Sequence, residues 1–343
     1  MIMNKDRLLI RFPILSKGKR YLRFFKGEKC LEIKDFCKSH YSDFSSRDRS
    51  RIVKDMMWNY LHRGISPSQY WDCQFEDLTE KDKAGMLPVE ELYLFDRVYN
   101  PRKDIHIVGD KYDCYLHFKP YYGRDCILVR QGNRLDLDCF HKFVSENERI
   151  IIKPLGNNSG VGVSILESKA VLENQVLFPD YDFIAEQIIE QRMEMGKFHP
   201  QSVNTLRLNT IKCKDEILIK WSILRYGCGN RVVDNAHFGG IFSVIDDDGN
   251  AIAAGDVHRH KYQVHPDTGV PLTGFMVPEW EKACALVRSL ATNTAGLRFI
   301  GWDLALTDQG WVLVEANTSP GILSPMVTGK GIRKEFYQIK KQM

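Results

Sequence analysis

Three side chains near the C-terminal end, Asp303, Glu315 and Asn317, lie in "GWDLALTDQGWVLVEANTSPG", which reads as two strands joined at a tight Asp308-Gln309-Gly310 turn. Glu315 and Asn317 are two apart and so share one face of a strand. Two carboxylates and an amide oxygen are hard ligands, suited to magnesium bound together with phosphates. The plainer alternative is a hairpin with solvated acids. Against it, Val312, Leu313 and Val314 predict a strand buried on both faces, where an unpaired Glu315 would be costly.

A second cluster lies at 151 to 166, "IIKPLGNNSGVGVSIL". A P-loop counted from Gly156 needs glycine at 161, where Val161 stands; a dinucleotide fingerprint from Gly160 needs glycine at 165, where Ile165 stands. Both also require a helix after the loop, whereas "VGVSIL" alternates and is β-branched. The loop therefore joins two strands. Its glycines let backbone N–H groups approach an anion, and Lys153 aims a cation at the same place, although Gly-Asn clusters also form plain turns.

These residues need a scaffold. The chain has 343 residues, 43% of them hydrophobic, enough for two or three domains. Nine cysteines without a C-x-x-C pair argue for reduced thiols in a cytoplasmic protein rather than a disulfide framework or a structural zinc. Net charge is +4, but residues 1–40 carry eleven Lys/Arg against four Asp/Glu, and residues 329–343 five against one. Such basic ends suit either a solvated face or peripheral contact with an anionic membrane or a lipid-linked glycan. A nucleic-acid partner would call for a clearer basic groove.

Residues 1–103 read as a helix-rich basic region. In it Ile52, Met56 and Tyr60 share a helical face, Ser66-Pro67 starts a helix, and Thr79 with Asp82 starts another. Beyond it "DIHIV" reads as a short strand, followed by a turn at Gly109-Asp110 and a helix. Strands are expected at "RDCILV", "ERIIIKPL", "DFIAEQII", "VNTLRLNTI", "EILIKWSILRYG" and "GIFSVID", and a helix at "PEWEKACALVRSLATNTA". The class is α+β with antiparallel sheet.

From Asp104 to Pro325 the chain resembles the ATP-grasp superfamily, with its motifs in order. "GDKYD" resembles the first phosphate-binding lysine, Lys111. "IIKPLGNNSGVGV" resembles the second, Lys153, with its glycine loop of Gly156, Ser159, Gly160 and Gly162. "FIAEQIIEQ" resembles the adenine hinge, with Glu186 accepting from the adenine amino group, the backbone of Gln187 and Ile188 reading the ring edge, and Glu190 or Gln191 on the ribose. The hairpin resembles the magnesium motif, with Asp303, Glu315 and Asn317 as ligands. "HPQSVNTLRLNT" and "RYGCGNRVVDNAHFGGIFSVIDDDG" are most similar to the sugar-transfer-associated branch. The α/β subdomain that usually precedes an ATP-grasp core is not evident in residues 1–100, so contacts drawn from it cannot be carried over.

The resemblance implies two α+β subdomains with antiparallel sheets clasping ATP, at 104–188 and 189–328, followed by a basic tail at 329–343. It also implies an ATP- and Mg2+-dependent ligase joining a carboxylate to an amine through an acylphosphate, with ADP released. In this branch the carboxylate would belong to a sugar acid of a surface polysaccharide or its precursor. Arg207 is assigned to the γ-phosphate or acylphosphate and Arg225 to the substrate carboxylate, with Lys153 as a third catalytic cation. Asn235, His237, Gly239, Gly240, Ser319 and Gly321 are assigned to the acceptor side. His258, His260 and His265 are read as loop residues without metal partners. The alternatives are a ligase for a peptide or small metabolite, and a non-catalytic nucleotide-binding adaptor at the inner face of a membrane.

Overall fold

The computed structural model describes Asp6 and residues 13–156, 162–173, 179–229 and 240–343. The chain forms two compact units, one of Met1–Pro101, Cys213–Glu216 and Gly321–Met343, the other of Arg102–Lys212 and Ile217–Pro320.

The first unit is helical. Ser45 caps the helix Ser46–Arg63 through Asp48 N, and Gly64 ends it at φ 82°, a left-handed value open to glycine. Ser66 caps Pro67–Asp72 and Thr79 caps Glu80–Gly85, both as the sequence indicates. Ile33, Cys37, Tyr41, Ile52, Met56, Tyr70 and Phe75 form its core. In the C-terminal helix Arg333–Gln342, Phe336 packs edge-on against Phe95 at 4.9 Å.

The second unit carries two antiparallel sheets. One has strands β1 (Cys126–Val129), β2 (Arg149–Pro154), β3 (Ser164–Glu167) and β4 (Phe183–Gln187), in the order β1-β4-β2-β3. The other has β5 (Thr205–Lys212), β6 (Ile217–Tyr226), β7 (Ile241–Ile245), β8 (Ala251–Gly255), β9 (Phe299–Thr307) and β10 (Gly310–Thr318), in the order β10-β9-β5-β6-β7-β8. The helix Trp280–Thr292 contributes Ala283, Val287 and Leu290 to the core against the larger sheet.

The expected strand at "DIHIV" is instead a short helix, His106–Gly109. Five residues of mixed apolar pattern do not separate the two periods. The next helix, Lys111–Phe118, is capped by the Asp110 carboxylate, which accepts from Tyr112 N and Asp113 N at 2.9 Å each.

Two adjacent rows across the larger sheet position the site. Leu224, Leu206, Leu304 and Leu313 are register partners across β6, β5, β9 and β10, and all four are buried in the core. One residue along, the row is Ile223, Arg207, Asp303 and Glu315. Alternation sends this second row to the opposite face. Leu313 and Glu315 would share a face in a regular strand, yet the register shifts between them. That bulge absorbs Val314, so Leu313 and Ala316 stay in the core while Glu315 and Asn317 face away from it.

Candidate active site

Asp303, in the centre of the polar row, is fully buried. The Arg207 guanidinium holds it in a fork, Nε to Oδ1 at 2.7 Å and Nη2 to Oδ2 at 2.6 Å. Arg225 Nη2 lies 2.9 Å from the same Oδ2, and Arg225 also donates to Thr205 Oγ1 from Nε at 3.0 Å and Nη2 at 2.7 Å. Burial alone would raise the carboxyl pKa, but the two guanidiniums outweigh it and hold Asp303 at about 2. Glu315 behaves in the opposite way. Loss of hydration and then the neighbouring Asp303 push its carboxyl above the usual range. Its side chain keeps 44% of its surface exposed, and Arg207 Nη2 is 3.9 Å away. The Asn317 amide donates to Asp303 Oδ2 at 3.2 Å and to Glu315 Oε1 at 3.1 Å.

The smaller sheet and the helix Lys111–Phe118 supply cations. Lys153, at the end of β2, lies 3.0 Å from Glu186 on the adjacent strand β4. Glu186 is buried and is also held by Arg124, Nη2 to Oε2 at 2.6 Å. Burial opposes its charge, but Arg124 and Lys153 together keep its carboxyl below the ordinary value. Lys111 donates to the Pro154 carbonyl at 2.8 Å. Its ammonium pKa is lowered, first by burial, against the pull of Glu315 and with the push of Lys153.

Lys111, Lys153 and Glu186 share a cleft of about 110 Å3 with Glu315 and Asn317, whereas Asp303, Arg207 and Arg225 are not among its lining residues. Gly162 has φ 77°, and a Cβ there would stand 2.8 Å from Pro154 Cγ, so the turn after the loop needs glycine. Gly156 has open space around an added Cβ.

Other candidate residues fall around the cleft. Gln187 is tied locally: its Oε1 accepts from Asp125 N at 2.8 Å and its Nε2 donates to Asn147 at 2.9 Å. Ile188 is half-buried and Glu190 exposed, while Gln191 bonds Ser202 O at 3.2 Å and Asn204 N at 2.8 Å. Gly240 is buried just before β7. Ser319 has φ 50°, a strained turn after β10, and Gly321 falls in the first unit. Ser159, Gly160, Asn235, His237 and Gly239 lie outside the described residues. Among the described residues no group of three His, Cys, Asp or Glu side chains could hold a metal. His260 Nδ1 instead meets Asp256 Oδ2 at 2.8 Å, and buried His265 pairs with the Gly227 carbonyl at 2.8 Å.

Magnesium fits the donors present. Two neighbouring carboxylates, one of them raised by burial and then by the other, invite a cation, and Glu315 opens to the cleft. Asp303 offers only the lone pairs its arginines leave. The Asn317 amide would present oxygen after a half-turn.

Arg124 went unnoticed in the sequence because a single arginine in the turn "YGRDC" has no spacing signal. A glutamate in the apolar strand "FIAEQ" is the clue that a buried counter-ion is needed.

Two antiparallel sheets, with Lys153 on one, Lys111 on a helix from which it reaches the Pro154 carbonyl, and an acid-amide hairpin on the other sheet, are the architecture of an ATP-grasp protein. Residues 93–341 match the family model "Sugar-transfer associated ATP-grasp", and the chain belongs to this family. Among solved structures it is similar to D-alanyl-alanine synthetase A from Vibrio cholerae, at 12% identity over 70% of this chain and 66% of that one, TM-score 0.43. It is also similar to D-alanine-D-alanine ligase from Helicobacter pylori, at 15% identity over 69% and 61%, TM-score 0.43. A third is N5-carboxyaminoimidazole ribonucleotide synthetase from Thermotoga maritima, at 14% identity over 66% and 48%, TM-score 0.36. The chain thus spans between about half and two thirds of the length of these structures. No curated protein matches it.

Proposed function

We propose that the protein is an ATP- and magnesium-dependent ligase that forms a carbon–nitrogen bond between a carboxylate and an amine and releases ADP and phosphate. The observation that carries this is one cleft with Lys111 and Lys153 on one side and Glu315 and Asn317 on the other. Phosphoryl transfer asks a protein mainly for positioning and charge neutralisation. The lysines would hold the α- and β-phosphates, with the Glu186 carboxylate and the hinge at Gln187 and Ile188 toward adenine and Glu190 or Gln191 toward ribose. Glu315 and Asn317, with Asp303 behind them, would hold magnesium, which supplies charge neutralisation at the β- and γ-phosphate oxygens.

Arg207, braced by Asp303, would stabilise charge on the transferring phosphoryl, and Arg225 would orient the acceptor carboxylate. The acceptor oxygen attacks the γ-phosphorus as the bond to the ADP oxygen breaks. The amine nitrogen then attacks the acyl carbon, loses a proton, and phosphate leaves. Gly240 and Ser319, with Asn235, His237 and Gly239, would line the acceptor side.

The acceptor we favour is a sugar acid of a surface polysaccharide or its precursor, and the amine an amino acid. The family's description as sugar-transfer associated supports that choice. We retain 104–188 and 189–328 as the two clasping subdomains. Among the described residues no helix is long and apolar enough to cross a membrane. Peripheral contact of a cytoplasmic protein with a lipid-linked glycan is supported by the helix Pro13–Phe25, whose Leu22 and Phe25 are exposed beside Lys19 and Arg23.

The test is nucleotide turnover with an amino-acid mixture and a panel of uronic-acid acceptors, wild type beside Glu315→Ala, with ADP, AMP and phosphate resolved. ADP and phosphate that need both amine and carboxylate, and vanish in the variant, are expected. AMP and pyrophosphate would overturn the acylphosphate route, and nucleotide binding without turnover on any mixture would favour the adaptor.

A further inference from the structure

Arg124 does not line the cleft, yet its guanidinium is wholly committed to the groups that do. Its side chain is 3% exposed. Nε donates to Glu186 Oε2 at 2.7 Å, and Nη2 lies 2.6 Å from the same oxygen. Nη1 donates to the carbonyls of Tyr122 at 3.0 Å and Leu313 at 2.7 Å, and Nη2 to that of Val314 at 3.2 Å. The five N–H donors of an arginine are all used. Its partners are the counter-ion of Lys153 on β4 and the two carbonyls that flank the start of the bulge on β10.

The charges follow simple arithmetic. Lys153 and Glu186 alone would cancel, leaving only Lys111 to attract phosphate. With Arg124 the trio carries one net positive charge, and Arg124 is sealed away from the cleft, so the excess is expressed at Lys153. The other contacts act on the opposite wall, because the bulge at Val314 directs Glu315 toward the cleft.

We propose that Arg124 is a positioning residue for nucleotide binding: it neutralises Glu186 so that Lys153 remains available to phosphate, and it anchors the bulge that presents Glu315. This rests on reading the cleft as a nucleotide site.

The test measures Mg-ATP binding by titration calorimetry, and binding of inorganic tripolyphosphate, which has no base, by competition, with folding monitored by circular dichroism. Arg124→Gln should weaken both ligands by roughly tenfold or more, one charge's worth in a partly buried site. The double variant Arg124→Gln with Glu186→Gln leaves no unpaired buried carboxylate and restores the net charge, so it should recover most of the tripolyphosphate affinity. Arg124→Lys keeps the charge but cannot span both walls. It should bind tripolyphosphate within about threefold of wild type and require several-fold more magnesium for ATP. If Arg124→Gln fails to fold, the double variant and the lysine variant carry the test. A double variant as weak as the single one, or a lysine variant unchanged in magnesium requirement, would overturn the inference and leave the cleft reading intact. A wild type that binds no Mg-ATP would overturn the cleft reading itself, and this inference with it.

Discussion

Two buried carboxylates in the second unit are built on one plan and used for opposite ends. Glu186 sits between Arg124 and Lys153, and Asp303 between Arg207 and Arg225. In both, two cations outweigh the cost of burial and keep the carboxyl ionised. The difference is the neighbour. Nothing acidic follows Glu186 across its sheet, so a cation is left over; beside Asp303 stands Glu315, so the second cluster balances and its exposed member is an anion. The same device therefore presents positive charge on one wall of the cleft and a carboxylate on the other.

The comparison breaks most severely at Asp303. Asp303→Asn leaves two guanidiniums without their counter-ion, and we expect about 3–5 kcal/mol of lost stability, seen as a lower denaturant midpoint. We also expect turnover to fall 100- to 1000-fold, on the order of one lost preorganised charge. A near-native midpoint would mean that the arginines find another partner.

Glu315→Gln should spare the fold and remove the exposed anion. Turnover and magnesium dependence should collapse by about 100-fold, while melting without metal moves upward at neutral pH, since a strained carboxylate has gone. A lower melting temperature would contradict the repulsion assigned to the Glu315–Asp303 pair.

The two carboxylates of the acid cluster should also differ in pH. Asp303 is depressed on folding, so its stabilisation is present above the unfolded value of about 3.9 and is lost as pH falls toward about 2. Glu315 is raised, so its destabilisation is present at neutral pH and relieved on acidification. Melting curves of wild type and Glu315→Gln should therefore converge as pH drops toward 4; parallel curves would refute the assigned direction. The smallest effect is expected at Asp110→Ala, which removes the cap of the helix that carries Lys111. It should cost about 1 kcal/mol with a slight weakening of nucleotide binding.

Much of the acid wall was legible because it is local. Asp303, Glu315 and Asn317 sit on one hairpin whose turn and spacing can be counted. Lys153 and Gly162, at the two ends of one short segment, stood out for the same reason. The cation wall was legible only in part: Lys153 stands out, but Arg124 acts on residues 62 and 189 or more positions away, and no window of sequence holds those contacts. The short helix His106–Gly109 was misread because a few apolar residues fit either period. The bulge was invisible too, since Leu313 and Glu315 share a parity that a regular strand cannot reconcile with one in the core and the other in the cleft.

That bulge has a further implication. A strand one residue shorter, with Glu315 directly after Leu313, would send every side chain to the same face it takes now. Orientation alone thus gives no reason for the extra residue. What Val314 adds is a main-chain oxygen released from the ladder, and Arg124 is what accepts the invitation. Shortening β10 by that residue should leave the hairpin looking native while removing one of the two carbonyls through which Arg124 ties β10 to Glu186 on β4.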